Sequence, residues 1–134
     1  MNREKLIKAI EKISKSNGYT FYFDGEERMP HYITSYPAMW LSPPRFESMK
    51  GRNHGKVIYS VKLHAMQDGL RLPSVARNAA WNKMEGDLID VFSQLSEEDF
   101  VVAVEKLKVQ HSSATLTNHF EVATTASADV ITFF

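Results

Sequence analysis

The feature that most constrains the fold is a run of alternating side chains between positions 56 and 66. Apolar residues occupy every second position of this run, namely Val57, Tyr59, Val61, Leu63 and Ala65. Successive side chains of a β-strand point to opposite faces of a sheet, so this period of two predicts a long strand with one buried face. Polar and apolar residues mix on the other face, which is therefore not wholly exposed: Lys56, Ile58, Ser60, Lys62, His64 and Met66.

The segments that precede this strand predict a hairpin and two shorter strands. Residues 45–50 are separated from it by the segment 51–55, which begins and ends with glycine, a spacing typical of a β-hairpin. Residues 19–24 are rich in aromatic side chains and predict another strand. Residues 38–41 predict a further one, which must be short or at a sheet edge because the prolines around it cannot donate to a ladder.

Two segments show the period of amphipathic helices. Residues 3–16 place four aliphatic side chains on one stripe: Leu6, Ile7, Ile10 and Ile13. Asn2 is positioned to cap the start of this helix. The second helix is predicted from Pro73 to about Leu95, with Trp81, Met84, Leu88, Val91 and Phe92 on its apolar stripe. Gly86 lies inside it and predicts either a closely packed neighbour or a bend, because glycine weakens a helix interior by about 1 kcal/mol.

The C-terminal third is less clearly patterned. Residues 100–109 are compatible with a strand or with a capped helix, and their valine content favours the strand. Residues 119–125 and 129–134 predict a hairpin that turns at 126–128. The element order then predicts one α+β domain over residues 1–134. Its two helices pack on one face of a mainly antiparallel sheet of about five to six strands, with a long β-hairpin.

Composition and charge exclude several classes of protein. The 134 residues are 43% hydrophobic and 24% charged, which is typical of a globular domain. Sixteen basic side chains balance sixteen acidic ones, which argues against a general nucleic-acid binder. The absence of cysteine excludes disulfides, thiol catalysis and cysteine-based zinc sites. The longest purely apolar run, 100–104, is far shorter than the roughly 20 residues that span a bilayer, so we expect an intracellular protein without a membrane partner.

No catalytic motif is present, and we expect neither enzymatic activity nor a cofactor or metal. The five histidines have no metal-ligand spacing: His31, His54, His64, His111 and His119. Serine elbows and glycine-rich phosphate loops are also missing. Asp87 and Asp90 lie three positions apart on the second helix and are expected to be solvated. One enzymatic alternative stays open, in which His64 or His111 acts as a base beside a carboxylate distant in sequence.

Charge is unevenly distributed along the chain. Residues 45–71 hold six basic side chains and two acidic ones, a net charge of +4, whereas residues 85–105 hold seven acidic side chains and no Lys or Arg, a net charge of −7. Both segments are either ordinary solvated surfaces or the two halves of a contact between successive copies in a ring. The second interpretation nominates a subunit interface: Arg45, Lys50, Arg52, Lys56, Asp87, Asp90, Glu97 and Glu98.

The element order, the length and the C-terminal stretch from His119 to Phe134 resemble the small tail-terminator or tail-completion proteins of long-tailed bacteriophages. The resemblance implies a non-enzymatic, homo-oligomeric ring, typically a hexamer, that caps the tail tube and joins it to the head connector. It further implies cytoplasmic assembly and a final location in the virion. The hairpin 45–66 would project toward a neighbour or the tube, with Lys50 and Arg52 near its tip.

Aromatic and methionine side chains leave two further interpretations open. Met39, Trp40 and Met49 are candidate interface anchors if exposed, and core residues if their strands are buried. The alternative function is a small-molecule-binding, ferredoxin-like α+β domain, dimeric through its sheet. Its pocket would lie between sheet and helices and hold at least about 300 Å³. Four side chains would line it: Phe21, Phe23, Tyr59 and Trp81.

Overall fold

The structure, a computed structural model, describes residues 2–51, 55–68, 73–112 and 121–133. Its elements follow in chain order: α1 (Asn2–Ser16), β1 (Thr20–Phe23), a 3-10 turn (Glu26–Arg28), the one-turn helix α2 (Met29–Tyr32), β2 (Ala38–Leu41), β3 (Arg45–Lys50), β4 (Lys56–Gln67), α3 (Ser74–Leu95), β5 (Val101–His111) and β6 (Val122–Phe133). The predicted α+β class, the two long helices and the long hairpin are confirmed.

All six strands belong to one mixed sheet. The strand order is β1-β2-β4-β6-β5, and β3 pairs with β4 next to β2. Only β1 and β2 run parallel, whereas the other pairs are antiparallel. Strands β4 and β6 pair along their whole length, from Lys56 opposite Phe133 to Gln67 opposite Val122. In the half of the sheet that holds the hairpin, β3 and β5 are therefore the two edges.

Helices α1 and α3 cover one face of this sheet and enclose the main core. Leu6 and Ile10 of α1 and Leu88 and Val91 of α3 are fully buried. They pack on the helix-facing side chains of the central strands: Val57, Tyr59, Val61, Leu63, Ala65, Val122, Ala126, Ala128 and Val130. The apolar side chains of β4 thus pack against the apolar stripes of both helices. Because this whole face of β4 is covered, apolar residues alternate most strictly in this strand.

A smaller core covers one end of the opposite face. Met29 and Ile33, from α2 and the residue after it, pack on Trp40 and Met66 of the sheet. The Trp40 indole Nε1 donates a 2.8 Å hydrogen bond to the carbonyl oxygen of Asp24, and its ring stacks on Tyr22. Trp40 is therefore a core residue, and Met66 lies on the mixed face of β4 because α2 covers it.

The C-terminal segment corrects one prediction. Residues 126–128 do not turn: they lie in the middle of the single twelve-residue strand β6, and residues 119 and 120 lie outside the described residues. Ala126 and Ala128 are small because they face α3, not because they bend the chain. Neither residue has the positive φ that favours a tight turn. The strand interpretation of residues 100–109 is confirmed, since β5 covers Val101–His111.

The structure bears on two smaller expectations. The Asn2 side chain does not stay at the start of α1, since it donates hydrogen bonds to Thr132 Oγ1 and to the carbonyl oxygen of Phe133, which ties the helix to the end of β6. Gly86 is exposed, and a Cβ built there would have no atom within 4 Å, so no neighbour within the subunit requires a glycine at this position.

Candidate subunit interface

The edge strand β3 exposes two large apolar side chains. Phe46 and Met49 retain 62% and 56% of their accessible surface. They pair in register with Tyr59 and Val57 of β4, so they point to the face of the sheet that the helices cover elsewhere. Phe46 contacts the Tyr59 ring edge to face, at 6.4 Å between centroids. The hairpin thus carries an apolar surface, defined by Phe46 and Met49, that its own subunit leaves open.

The basic side chains of the hairpin lie on the other face of the same strands. Arg45, Lys50 and Lys56 are exposed, and Lys50 lies directly opposite Lys56 in the register of β3 and β4. Like charges directly opposite each other destabilise a sheet. A negatively charged partner would relieve this repulsion. Arg52 lies outside the described residues.

Three of the four nominated carboxylates lie at the C-terminal end of α3. Asp90 and Glu97 are exposed and Glu98 is half-buried. The last turn of α3 contains no basic residue, so Glu97 and Glu98, which follow it, face the negative end of the helix dipole, which is electrostatically unfavourable. Glu97 and Glu98 line a shallow depression with Lys12 of α1. A cationic partner at this end of α3 would be stabilising.

Asp87 departs from the prediction that it is solvated. Its side chain is only 18% exposed and accepts hydrogen bonds from the Tyr19 hydroxyl and from Lys83 Nζ, each 2.6 Å long. Burial raises the pKa of Tyr19, and the hydrogen bond to Asp87 and its charge raise it further. Asp87 is thus already paired within the subunit, and the acidic surface that stays available consists of Asp90, Glu97 and Glu98.

The two charged surfaces do not meet within one subunit. Helix α3 packs over β4, β5 and β6, whereas the hairpin strand β3 lies at the other edge of the sheet. Among the described residues, no ion pair joins Arg45, Lys50 or Lys56 to an acidic residue of α3. The structure therefore places the nominated basic residues on the hairpin and the nominated acidic residues on and after α3. The two sets do not contact each other.

A buried histidine forms a polar network on the mixed face of the sheet. His64 Nε2 lies 3.0 Å from Glu26 Oε1, and its Nδ1 lies 2.7 Å from Thr125 Oγ1. A carboxylate only accepts hydrogen bonds, so Nε2 carries the proton and Nδ1 accepts from the threonine hydroxyl. Ser42 Oγ donates to the same Glu26 oxygen at 3.1 Å. This network pins the 3-10 turn to strands β4 and β6.

Burial and hydrogen bonding shift both members of this pair. Burial lowers the pKa of His64, and the hydrogen bond to Glu26 only partly opposes that effect. Partial burial acts against ionisation of Glu26, but the hydrogen bonds from His64 and Ser42 and the charge of Lys62 outweigh it and lower the pKa of Glu26. The stable state is consequently a neutral imidazole beside an ionised carboxylate.

His111 has a similar set of neighbours on the helix-covered face. Its Nδ1 lies 2.9 Å from Thr124 Oγ1, its Nε2 lies 3.3 Å from Glu85 Oε1, and its ring contacts that of Trp81. Both histidines of the enzymatic alternative therefore lie beside a carboxylate. Both also hydrogen-bond a threonine of β6, His64 from a buried position and His111 from an exposed one, so each links its own strand to β6. His54 and His119 lie outside the described residues.

Three of the four side chains nominated for a ligand pocket pack in or against the main core. Tyr59 is buried in the main cluster, and Phe21 and Trp81 pack against it. Phe23 lies at the end of β1 and is partly exposed. Within the described ranges, no three histidine or carboxylate side chains are grouped closely enough to hold a metal ion.

The sequence pattern missed Phe46, although it nominated Met49. Met39 and Trp40 were the competing anchor candidates, and both are fully buried. The lengths of the two hairpin strands were the available signal for Phe46. The six-residue strand β3 pairs with the much longer β4, which indicates that β3 lies at a sheet edge and that its apolar side chains are less covered. Nothing in the sequence indicated that Glu26 pairs with His64, because Glu26 lies in a proline-rich segment without a clear periodic pattern.

The comparisons with known proteins do not assign this chain to a family. No protein-family model matches it, and no curated protein matches its sequence significantly. Among the described helices, none combines the length and the apolar character that crossing a membrane requires. The resemblance to phage tail-terminator proteins therefore stays a prediction.

Proposed function

We propose that this protein is a non-enzymatic bacteriophage or prophage tail-assembly protein, of the tail-terminator or tail-completion type, that acts as a homo-oligomeric ring. The observation that carries the proposal is the separation of two complementary surfaces on one subunit. The hairpin at one edge of the sheet presents Phe46 and Met49 on one face and exposed Lys50 and Lys56 on the other. The C-terminal part of α3 and the residues after it, over the other side of the sheet, present Asp90 and Glu97 as exposed carboxylates and Glu98 as a half-buried one.

Two different surfaces on one subunit favour a head-to-tail contact. Such a heterologous contact repeats from copy to copy and closes into a ring when its rotation permits. An isologous dimer, in contrast, would pair both sets only if they lay on one common patch, because its contacts are reciprocal. The ring then ends growth of the tail tube sterically, and the head connector and the tube protein are its partners. On this proposal, assembly takes place in the cytoplasm and the mature ring resides in the virion.

Multi-angle light scattering over a concentration series, at low and at high salt, tests the proposal. We expect a closed oligomer of defined mass whose population falls as salt screens the contact. If the free chain stays monomeric, purified tail tubes should recruit it into rings at one tube end, visible by electron microscopy. A chain that is monomeric at every concentration and is not recruited by tubes contradicts the proposal.

A further inference from the structure

Strands β3 and β5 are open edges of the sheet. In the part of the chain that the structure describes, β3 pairs with β4 alone and β5 pairs with β6 alone. Five of the six residues of β3 are exposed, and so are residues 105–108 of β5. An open edge presents backbone N–H and C=O groups that can pair with a strand of another chain. Two such edges on opposite sides of one subunit are suited to a contact that repeats.

The edge at β3 is a recess one strand deep. Strand β6 covers one side of β4 over its whole length, so β2 and β3 share the other side, β2 along residues 63–66 and β3 along residues 56–60. Strand β1 lies outside β2 and therefore projects one strand further than β3 does. One added strand beside β3 would make this border of the sheet level, which favours a single strand as the occupant.

We infer that the open edge of β3 in one copy pairs with the open edge of β5 in a second copy, so that neighbouring subunits share one continuous sheet. This inference rests on the proposed ring and identifies its contact. Every pair along the order β3-β4-β6-β5 is antiparallel, so β5 runs opposite to β3. A second copy placed alongside in the same orientation therefore presents its β3 antiparallel to β5, and copies added in this way join head to tail.

The two edges match in length in one register. With Phe46 opposite Val109 of the neighbour, the six residues of β3 face residues 105–110 one to one. Each strand carries one extra residue over this span relative to its inner partner, because the pairing shifts between 46 and 48 in β3 and between 105 and 108 in β5. The two irregular strands thus have the same number of residues to pair.

The apolar surface of the hairpin continues across the contact in this register. Within their own subunits Phe46 lies opposite Tyr59 and Val109 lies opposite Ala126. Tyr59 and Ala126 belong to the main core, so Phe46 and Val109 both point to the helix-covered face of the sheet. The Phe46 ring, which its own subunit leaves 62% exposed, would be covered by the neighbour.

Opposite charges also meet in this register. Two ion pairs form across the contact, and the remaining basic residue of β3 meets an amide: Glu47 with Lys108, Lys50 with Glu105, and Arg45 with Gln110. Lys106 falls opposite Met49 and contacts Asp129 of its own subunit at 3.8 Å. Sliding β3 by two residues in either direction removes both ion pairs, and one of these shifts places Arg45 opposite Lys108. Charge complementarity therefore selects this occupant and this register.

Each subunit alone carries two like-charge pairs that the contact brings side by side. Lys50 lies directly opposite Lys56 in β3 and β4, and Glu105 lies directly opposite Asp129 in β5 and β6. Like charges in these positions destabilise a sheet. In the joined sheet the two pairs form one row across four strands, with Lys50 beside Glu105 of the neighbour. Each repulsive pair thereby gains an opposite charge.

The same placement directs the hairpin tip toward the acidic residues after α3. The tip lies at the end of the sheet where β6 ends, since Lys56 pairs with Phe133. The N–H of Phe133 donates a hydrogen bond to the carbonyl oxygen of Phe100, which closely follows Glu97 and Glu98. The basic tip of one copy and the acidic turn of the next are therefore at the same end of the shared sheet.

Cross-linking tests the contact directly, because the chain has no cysteine of its own. An Arg45→Cys variant with one affinity tag is mixed with a Gln110→Cys variant with another, on tail tubes if the free chain is monomeric, and a short bis-maleimide reagent is added. We expect a covalent dimer that carries both tags, and a ladder ending at the ring size for the double variant. The control replaces Gln110→Cys by Lys8→Cys on α1. Equal yields for both mixtures, or no mixed dimer, overturn the inference.

A charge exchange tests the register. Glu47→Lys and Lys108→Glu should each weaken self-association up to about fivefold at low salt, and the two together should restore it, while dilute monomers of all variants melt as the native chain does. Glu47→Lys combined with Lys8→Glu is the matched control and should not be restored. Equal restoration in both combinations, or none in either, overturns this register.

The outcomes also separate this contact from the proposed ring. Rings that form in the native chain, without the mixed cross-link and without restoration by the charge exchange, overturn the pairing of β3 with β5 and leave the proposed ring intact. Absence of any oligomer in the native chain, with or without tail tubes, contradicts both.

Discussion

The Tyr19 hydroxyl donates a 2.6 Å hydrogen bond to Asp87 Oδ2, across the junction between the end of α1 and the middle of α3. Lys83 contacts the same oxygen from one turn earlier on α3. This link turns Asp87 away from the candidate interface and makes it part of the tertiary structure. Asp90, only three residues further along, stays exposed. The two carboxylates therefore have separable roles, one in stability and one in association.

Removing the Tyr19 hydroxyl should destabilise the subunit. Tyr19→Phe leaves the buried ring in place but deletes the hydrogen bond to Asp87, so we expect the free energy of unfolding to fall by about 1–2 kcal/mol. Urea titration followed by circular dichroism measures the change. Tyr32→Phe is the control, because the exposed Tyr32 hydroxyl only accepts a hydrogen bond from Arg28, and its loss should cost less than about 0.5 kcal/mol. Equal losses in both variants would contradict a structural role for this link.

Charge reversal at the interface should change association and not folding. Asp90→Lys and Lys50→Glu should each weaken the oligomer up to about fivefold at low salt, since exposed ion pairs contribute about 0.2–1 kcal/mol each. Combining the two reversals in one chain should restore part of the loss. Asp87→Asn should instead lower the melting temperature of the subunit and leave its association unchanged. Sedimentation velocity at two salt concentrations reports association, and thermal melting of dilute monomer reports folding.

Truncating Phe46 should weaken assembly strongly and have little effect on the stability of the subunit. The side chain is 62% exposed, so Phe46→Ala is expected to lower monomer stability by less than about 1 kcal/mol. A buried aromatic anchor contributes about 2 kcal/mol or more to an interface, which corresponds to roughly thirtyfold weaker association. Tyr32→Ala removes another exposed aromatic ring outside the proposed contact and should associate normally. Mass photometry distinguishes these cases, and unimpaired oligomers of Phe46→Ala would count against the hairpin contact.

His64 should make stability depend on pH in a defined window. Burial lowers its pKa below the ordinary value of 6.5, so the unfolded chain binds this proton more readily than the folded one. The stabilisation is complete above pH 6.5 and is lost as the pH falls below it, toward the pKa of the folded state. The lowered pKa of Glu26 acts in the same direction but only below its ordinary 4.5.

A His64→Gln variant isolates this effect. Glutamine keeps polar contacts to Glu26 or Thr125 and does not titrate, so the difference in unfolding free energy between the native chain and the variant should shrink as the pH falls from 7 to 5. Guanidinium titrations at several pH values between these limits measure the difference. A difference that is constant over this range would show that His64 does not prefer its neutral form in the folded protein.

Periodic sequence patterns predicted helices and strands well wherever an element buries one face, because burial then requires apolar side chains at regular spacings. The alternation of β4 and the apolar stripe of α1 are one-sided because helices cover one face of the sheet. The same logic fails at 126–128, where small side chains predict a turn that the structure does not contain. In β6 they are small because α3 lies against them, and that packing distance is a tertiary property without a local signature.

The contacts that matter for the candidate site were the least accessible to sequence reasoning. Charge segregation identified Asp90 and Lys50 as candidates, but it equally nominated Asp87, whose partner Tyr19 is 68 positions away. Glu26 and His64 are 38 positions apart and meet only because α2 folds over the mixed face. Long-range pairings of this kind depend on strand order, and the position of β6 between β4 and β5 follows from no motif in the chain.

That position of β6 has a consequence for biosynthesis. Residues 122–133 fill the gap between β4 and β5, and without them β5 has no hydrogen-bonding partner and β4 lacks its longest one. A ribosome that has released only the preceding residues has therefore produced both helices but two unjoined pieces of sheet with bare edges. The sheet therefore closes only when residues 122–133 insert between β4 and β5, a long-range pairing of the kind that slows folding.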